Sequence, residues 1–339
     1  EVDGGEGAKE VARKILTTLA YPFEVGGEEV FVTTSIGIAI YPHHGTDAES
    51  LVKAADLAMY DAKERGRNNY RLHQSSTNVA LGELFELEKH LRSAVERGEM
   101  DLHYQPQVDI ATQRIVGMEA LLRWQHPARG LVMPNQFIPL AEETGIIISL
   151  GEWVLRQACR QNRLWQEQGL EPFRVSVNVS GRQFLQLDFA EKVVAALDEC
   201  GLDARWLKLE LTETSVLQNA EEIVGLLRQL KSIGVDISID DFGSGYAGLA
   251  YLKRYPIDTI KIDKSFIDGL LENADSQAMA EAIIAMARAL EIGVVAEGVE
   301  NTEQLTFLHE HACLHAQGFF LARPMPADAA TALLRTRCH

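Results

Sequence analysis

Eight residues near the ends of short apolar segments could do chemistry together: Glu119, Asn178, Glu210, Asp240, Asp241, Lys261, Glu297 and Gln317. In VSVNVS, Ser176, Asn178 and Ser180 fall at every second position, as do Lys208, Glu210 and Thr212 in LKLELTE. Ser238 and Asp240 in DISIDD, and Lys261 and Asp263 in IKIDK, repeat the pattern. A period of two belongs to strands, so each polar set shares one face while the intervening Val, Leu and Ile share the other. Unpaired charges gathered on an inner face cost several kcal/mol each unless they meet cations, each other or water. Carboxylates and an amide are hard oxygen donors, which suit Mg2+ or Mn2+ and not zinc. The neighbours Asp240 and Asp241 could serve two ions, one carboxylate bridging both and the other holding the second. Any one of these groups is as readily a salt-bridge partner or a cap. Their recurrence at the same relative place in six segments is what argues for a site.

The elements that must position them follow from periodicity. From Leu84 onward an amphipathic helix (LFELEKHLRSAVERG) leads to a strand, DLHYQPQVD, and to another ending in Glu119. VSVNVS, LKLELTE, VDISIDD, TIKIDK, VVAEGVE and QGFFLA then read as strands alternating with longer helices. This alternation predicts an α/β fold, a closed parallel (β/α)8 barrel of the TIM type, with an open doubly wound sheet as the alternative. In a barrel the strand ends converge at the carboxyl-terminal face, where active sites of that architecture sit. Before this lies a shorter pattern: a helix over residues 8–20, an alternating strand from Phe31 to Tyr41, a helix opening at Asp47 and closed by Gly66, and a strand NNYRLH. The turn-rich QSSTN at residues 74–78 marks the boundary. The expected division is 1–73, a linker over 74–83, and 84–339.

Composition narrows the partners. The chain has 339 residues, 46% of them apolar, and a formal charge of -17. That acidity argues against a nucleic-acid polymer as ligand, and a phosphate-bearing substrate would need local cations. The four cysteines Cys159, Cys200, Cys313 and Cys338 show no metal-type spacing, as expected of reduced structural thiols in the cytoplasm. No segment approaches a membrane span, and no membrane contact is expected of these residues. The chain starts at Glu1 and runs almost directly into a helical pattern, which suggests a piece of a longer protein whose upstream region could hold a sensor or membrane anchor.

The ordered segments YQPQ, MEALLRW, PNQFIPLAEETG, SVNVS, ELTE, DDFGSGY, IKIDKSF, AEGVE and QGFFLARP closely resemble the EAL family of cyclic di-GMP phosphodiesterases, over about Leu84 to Arg335. The resemblance implies hydrolysis of cyclic di-GMP to linear pGpG with two Mg2+ or Mn2+ ions per active site. It implies that Glu119, Asn178, Glu210 and Asp240 hold the first ion and Asp240 and Asp241 the second. Lys261 and Glu297 would orient and deprotonate the attacking water, and Gln317 would position water or metal. Gln105 and Arg123 would contact the dinucleotide, Arg123 through the planar donors that suit a phosphate. Gly243, Ser244 and Gly245 would form a movable loop braced by Glu213, coupling metal binding to a homodimer contact. The chain departs from the family where Ala247 and Gly248 replace two serines and where Leu314 replaces an Asp. Because no metal ligand is lost, an active enzyme is the leading reading; a silent cyclic di-GMP receptor and a dimerisation or signalling module are the alternatives.

Residues from SIGIAIYPHHG to NNYRL resemble the last portion of a GGDEF (diguanylate cyclase) domain, an α+β fold, without the signature motif. Lys63 and Arg67 match its phosphate-contacting positions, yet no cyclase activity is expected of these residues. His309, His311, Cys313 and His315, and the pair His43-His44, fit no metal-binding spacing and read as surface groups. Trp124 could line the substrate groove or pack in the core.

Overall fold

The computed structural model describes residues 4–19, 23–25, 28–30, 33–64, 68–73, 77–217, 220–243, 252 and 254–337. The chain divides into two compact units, Glu1–His90 and Leu91–His339. Helix Thr77–Ala94 runs across that division, so residues 77–83 of the expected linker are helical.

In the first unit β1 (Phe23–Val25) pairs antiparallel with β2 (Glu28–Val30). β3 (Ile36–Ile38) pairs parallel with β4 (Tyr70–Leu72), and helix Ala48–Glu64 forms the crossover between them. Asp47 caps that helix, its carboxylate accepting from the Ser50 amide at 2.8 Å. The helix lies against β3 through small residues. Ala54, Ala58 and Ala62 are buried at every fourth position, and a Cβ on Gly37 would stand 1.9 Å from the Ala55 carbonyl oxygen. Helix and strand approach too closely there for any side chain. The strand expected from Phe31 is shorter among the described residues, where it covers Ile36–Ile38.

The second unit is a closed eight-stranded barrel with helices outside. Its strands are β5 (Met100–Asp109), β6 (Ile115–His126), β8 (Arg174–Val179), β9 (Leu207–Thr212), β10 (Asp236–Phe242), β11 (Thr259–Ile262), β12 (Gly293–Ala296) and β13 (His315–Ala316), while β7 (Gly130–Val132) and β14 (Met325–Pro326) extend it at β6 and β5. From β6 to β13 the ladder is parallel, but β5 runs antiparallel to both β6 and β13. The expected all-parallel barrel is corrected at this strand. Only a turn separates β5 from β6: the Asp109 carboxylate accepts from the Thr112 amide at 2.7 Å, and Gln113 takes a left-handed φ of 60°. A parallel crossover needs a dozen residues or more, so this connection can only make a hairpin. The antiparallel partner also carries β6 above the barrel mouth. β6 pairs with β8 only as far as Ala120, and beyond that point it pairs with β5 and β7. Glu119 therefore sits within its strand and not at its end.

The last expected strand is also corrected. β13 comprises two residues, and QGFFLA turns back on itself, with Leu321 and Ala322 both donating to the Gly318 carbonyl. A Cβ on Gly318 would lie 2.1 Å from the Val299 carbonyl oxygen, so the backbone is pressed against the preceding loop. Val175, Val177, Leu207, Leu209, Leu211, Ile237, Ile239, Ile260 and Ile262 are all essentially buried between barrel and helices. Ser176, Glu210, Ser238 and Lys261 point inward and are also buried. The apolar core is thus the annulus around the barrel, and the lumen is polar. Among the described residues no helix is long and apolar enough to cross a membrane.

Candidate active site at the barrel mouth

Lys261 on β11 is the hub. Its ammonium lies 2.6 Å from Glu297, 2.7 Å from Glu210, 3.2 Å from Asp240 and 3.4 Å from Glu119, and it is about 1% exposed. Glu119 is held from three sides. Its Oε1 accepts from Asn178 at 2.7 Å, and its Oε2 accepts from Gln317 at 2.5 Å as well as facing Lys261. Gln317 donates also to Gln105 at 3.0 Å, and Gln105 donates to the Ala322 carbonyl at 3.0 Å, tying β5, β6 and β13 together beneath the cleft.

Asp240 and Asp241 could not share a site on a regular strand, because neighbours face opposite sides. The ladder between β10 and β11 shifts register between Ile239 and Phe242, and Asp241 takes a left-handed φ of 54°. This bulge turns the second carboxylate into the mouth. Two groups result, Glu119-Glu210-Asp240 and Asp240-Asp241-Glu297, each with ligand oxygens within 4.8 Å of one another. Asp240 belongs to both.

The electrostatics are unbalanced. Among the described residues five carboxylates surround one ammonium, Lys261, with the buried Lys208 two residues before Glu210 on β9. Burial pushes Glu210 up to about 7, against the pull of Lys261. Burial and the adjacent Asp240 push Asp241 up to about 6. Burial raises Glu297 well above the usual carboxylate range, and Lys261 only partly opposes it. Glu119 is the exception: burial would raise it, but Lys261 and the Gln317 and Asn178 amides hold it below its ordinary value. The four carboxylates around Lys261 outweigh its burial and keep it charged, well above the usual lysine value. Two buried oxygens, Glu210 Oε1 and Gln317 Oε1, have no hydrogen-bond partner among the described residues. Excess negative charge, orphaned oxygens and an all-oxygen donor set fit hard divalent cations.

The expected loop support is partly described. Glu213 Oε2 accepts from the Gly243 amide at 2.8 Å. Gly243 has a φ of 99°, and a Cβ there would meet the Phe266 ring at 2.8 Å. Ser244 and Gly245, with Ala247 and Gly248, lie outside the described residues, as does Arg67. Leu314 is an exposed surface residue.

A cleft of about 240 Å³ opens over the carboxylates, lined by Gln105, Glu119, Asp240, Glu297 and Gln317 among others. Arg123 is not part of its wall. It is buried on β6 and donates to the Leu122 carbonyl at 2.8 Å. Trp124 is fully buried, donates to Glu99 at 3.0 Å and meets the Phe137 ring edge-on, so it belongs to the core. Leu121, in the MEALLRW segment, does line the cleft, as do Lys264 and Phe319, which were not singled out from sequence. Lys264, next to IKID, pairs with Asp268 at 2.6 Å and Glu300 at 2.7 Å, and the Arg323 guanidinium stacks over Phe319 at 4.4 Å. Asp263 is a further addition: it caps the helix that begins at Lys264, and its charge helps to raise Asp241. Its signal was present in the alternation of IKIDK.

Fold and mouth together define a (β/α)8-type barrel whose carboxyl-terminal face is an oxygen-donor site for divalent cations. The chain belongs to the EAL domain family, whose model matches residues 88–324, and residues 2–69 match the model of the diguanylate cyclase GGDEF domain. Over 321 residues, 95% of this chain, it is 44% identical to the bifunctional diguanylate cyclase/cyclic di-GMP phosphodiesterase MucR of Pseudomonas aeruginosa, covering 47% of that protein. It is 39% identical to the cyclic di-GMP phosphodiesterase PdeR of Escherichia coli, covering 94% of this chain and 48% of that one. The chain thus spans about half the length of these relatives. Among solved structures it resembles the MucR phosphodiesterase in complex with c-di-GMP, with a TM-score of 0.71 and 46% identity, covering 72% of this chain and 99% of that one. The cAMP- and cyclic-di-GMP-bound form of the EAL enzyme Bd1971 is similar at a TM-score of 0.71 and 35% identity, covering 75% and 70%.

Proposed function

We propose that this chain is a cyclic di-GMP phosphodiesterase that opens the ring to linear pGpG. The observation that carries the reading is the lysine-carboxylate hub, in which Lys261 and Glu297 stand 2.6 Å apart beside two carboxylate groups that share Asp240. Glu119, Asn178, Glu210, Asp240 and Asp241 would hold two ions, Mg2+ or Mn2+, which when bound supply Lewis acidity to the phosphoryl oxygens and acidify water.

The chain's own residues have separate tasks. Glu297 accepts a proton from the attacking water. Its raised proton affinity suits a general base, and the Lys261 ammonium fixes its orientation and offsets the charge it would otherwise bury. The water oxygen adds to phosphorus as the bond to the 3′ oxygen breaks, the departing 3′ oxygen takes up a proton and Glu297 releases the one it accepted, so one water is consumed per ring opened. Gln317 holds Glu119 toward Asn178 and Gln105, which fixes the floor of the cleft. Lys264 at the rim is already held by Asp268 and Glu300, so the positive charge that an acidic protein needs to receive a phosphate diester would come from the bound ions. Arg123 would reach the dinucleotide only after leaving the Leu122 carbonyl. The same reading takes the body of the enzyme as residues 84–339 and includes a homodimer formed through the barrel, which sedimentation velocity would report.

The test is incubation of the chain with cyclic di-GMP and Mg2+ or Mn2+, with chromatography for pGpG and Glu119→Ala as control. Turnover abolished by the substitution is the expected result. Tight binding without turnover would make the chain a receptor, and turnover retained by the variant would overturn the ligand assignment.

A further inference from the structure

Glu297 is not on a strand. β12 ends at Ala296, and Glu297 opens a loop that runs to Asn301, where the helix Thr302–Glu310 begins. Its amide donates to the Ile262 carbonyl at 3.3 Å, and Gly298 follows with a left-handed φ of 73°. Toward β13 the loop is held by backbone alone, the Val299 amide donating to the Gln317 carbonyl at 3.1 Å and the Phe320 amide to the Val299 carbonyl at 3.0 Å. A general base must sit within hydrogen-bond reach of its proton, and a displacement of about 1 Å can cost a hundredfold in rate. A carboxylate carried on a loop therefore needs its loop fixed on the other side as well.

Two side chains fix it there, both to the short helix Lys264–Asp268 that follows β11. Lys264 lies across Gly298 so closely that a Cβ on that glycine would stand 2.4 Å from the lysine Cγ. Its ammonium donates to Glu300 at 2.7 Å and to Asp268 at 2.6 Å. Stem and head thus hold the loop at two points. Gln304 makes the second tie and is 4% exposed. Its Oε1 accepts from the Asn301 amide at 3.3 Å and the Glu300 amide at 2.7 Å, and its Nε2 donates to the Ile267 carbonyl at 2.9 Å. The bond from Asn301 belongs to the reciprocal cap of the helix that begins at Thr302, but those with Glu300 and Ile267 are more than a cap requires. A helix of one turn leaves most of its carbonyls without internal partners, and the Gln304 amide meets one of them.

We infer that Lys264 and Gln304 are positioning residues for Glu297: together they clamp the loop that carries the base onto the helix following β11, and neither binds the dinucleotide. Lys261 stands on β11 directly ahead of that helix, with its ammonium 2.6 Å from Glu297, so the clamp sets the base against the group that orients it. Lys264 lines the cleft, which by itself would fit a phosphate contact, but its charge is already taken up by two carboxylates. The inference rests on the reading of Glu297 as the general base of a phosphodiesterase.

Two measurements on the full chain test it. Amide hydrogen exchange over residues 297–301, without ion or nucleotide, reads the clamp independently of turnover, and rates of pGpG formation against cyclic di-GMP concentration read its consequence. Lys264→Met keeps the stem over Gly298 and removes the charge. It should speed exchange in this segment at least about threefold, and lower kcat roughly five- to tenfold with KM within about twofold of wild type. Lys264→Arg, which can still reach both carboxylates, should recover most of kcat. Gln304→Met should show the same pattern more strongly; should it fail to fold, the two Lys264 variants carry the test. A raised KM with kcat unchanged would make Lys264 a substrate contact and overturn the inference, as would unchanged exchange or a kcat indifferent to Lys264→Met. Faster exchange in Lys264→Met with no pGpG from the wild-type chain would support the clamp and overturn the reading of the mouth instead.

Discussion

Strand β10 carries acidic residues at both ends. At its start Asp236 lies 2.5 Å from Arg174 and 3.2 Å from Lys231, and Lys231 lies 2.7 Å from Asp258, which also accepts from the Ile237 amide at 2.8 Å. Two carboxylates meet Arg174 and Lys231 at partly exposed positions, and the buried Lys208 on β9 also acts on Asp236, so the negative charge is fully matched. At its end Asp240 and Asp241 join three further carboxylates around one lysine, mostly out of solvent. The foot cluster is complete by itself, whereas the mouth cluster is complete only with added positive charge. Acidic residues at strand ends are thus no sign of a site until the neighbouring cations are counted.

The largest expected difference between the two ends is in turnover. Glu119→Ala or Asp240→Asn should lower kcat for pGpG formation by at least about a thousandfold. Asp236→Asn, four residues earlier on the same strand, should leave kcat within about threefold. Chromatographic assay of all three variants decides it. Equal losses would mean that the foot shapes the mouth.

Next is the response to pH and ions. The folded-state values of Glu210 and Asp241, about 7 and about 6, lie above their ordinary 4.5 and 3.8, so the folded protein binds more protons in that window. Their contribution to stability is therefore present at low pH and lost as pH rises through 6 to 7. Glu119, shifted downward, and Lys261, shifted upward, titrate outside this window. Ion-free protein should melt at progressively lower temperature from about pH 4.5 to pH 7, between the ordinary and the folded-state values of these two groups. Mn2+ competes with those protons, so its stabilisation should grow over the same range, to about 2–3 kcal/mol at a hundredfold excess over Kd. A melting temperature that is flat with pH and blind to Mn2+ would remove the contrast between the clusters.

A smaller effect belongs to the foot. Lys231→Met leaves Asp258 without its closest cation and should cost roughly 1–2 kcal/mol in urea unfolding, discounted for partial exposure, without changing Mn2+ binding. The smallest concerns the brace: Glu213→Gln keeps an acceptor for the Gly243 amide but removes its charge, and should lower kcat only a few fold. Loss as large as that of Glu119→Ala would make Glu213 a direct participant.

Much of this was legible in sequence because alternation is a local property. Ser176 and Asn178, Lys208 and Glu210, and Ser238 and Asp240 had to share a face whatever sheet they joined, and all turn inward in the barrel. Asp241 illustrates the limit. Its place in the site depends on a register shift against β11, a relation between two strands that neither sequence contains. Arg123 is similar, since its distance from the cleft follows from how far β6 rises beyond its partner β8. The direction of β5 was readable and was missed: the few residues from Asp109 to Arg114 leave no room for a crossover. QGFFLA failed for another reason. Its apolar run resembles a strand, but Gly318 lets the backbone close against Val299, and the phenylalanines are left half-exposed.

The reversed β5 has a mechanical consequence. A barrel with all strands parallel receives its chain at the face opposite the chemistry, where a force on the incoming segment would be absorbed by the stable end. Here the chain enters at Met100, which is paired with Trp124 above the mouth, and runs downward past Gln105 to Asp109. A pull or twist on the entering chain acts on the rim first and reaches Gln105, and through it Gln317 and Glu119, within five residues of the point of entry.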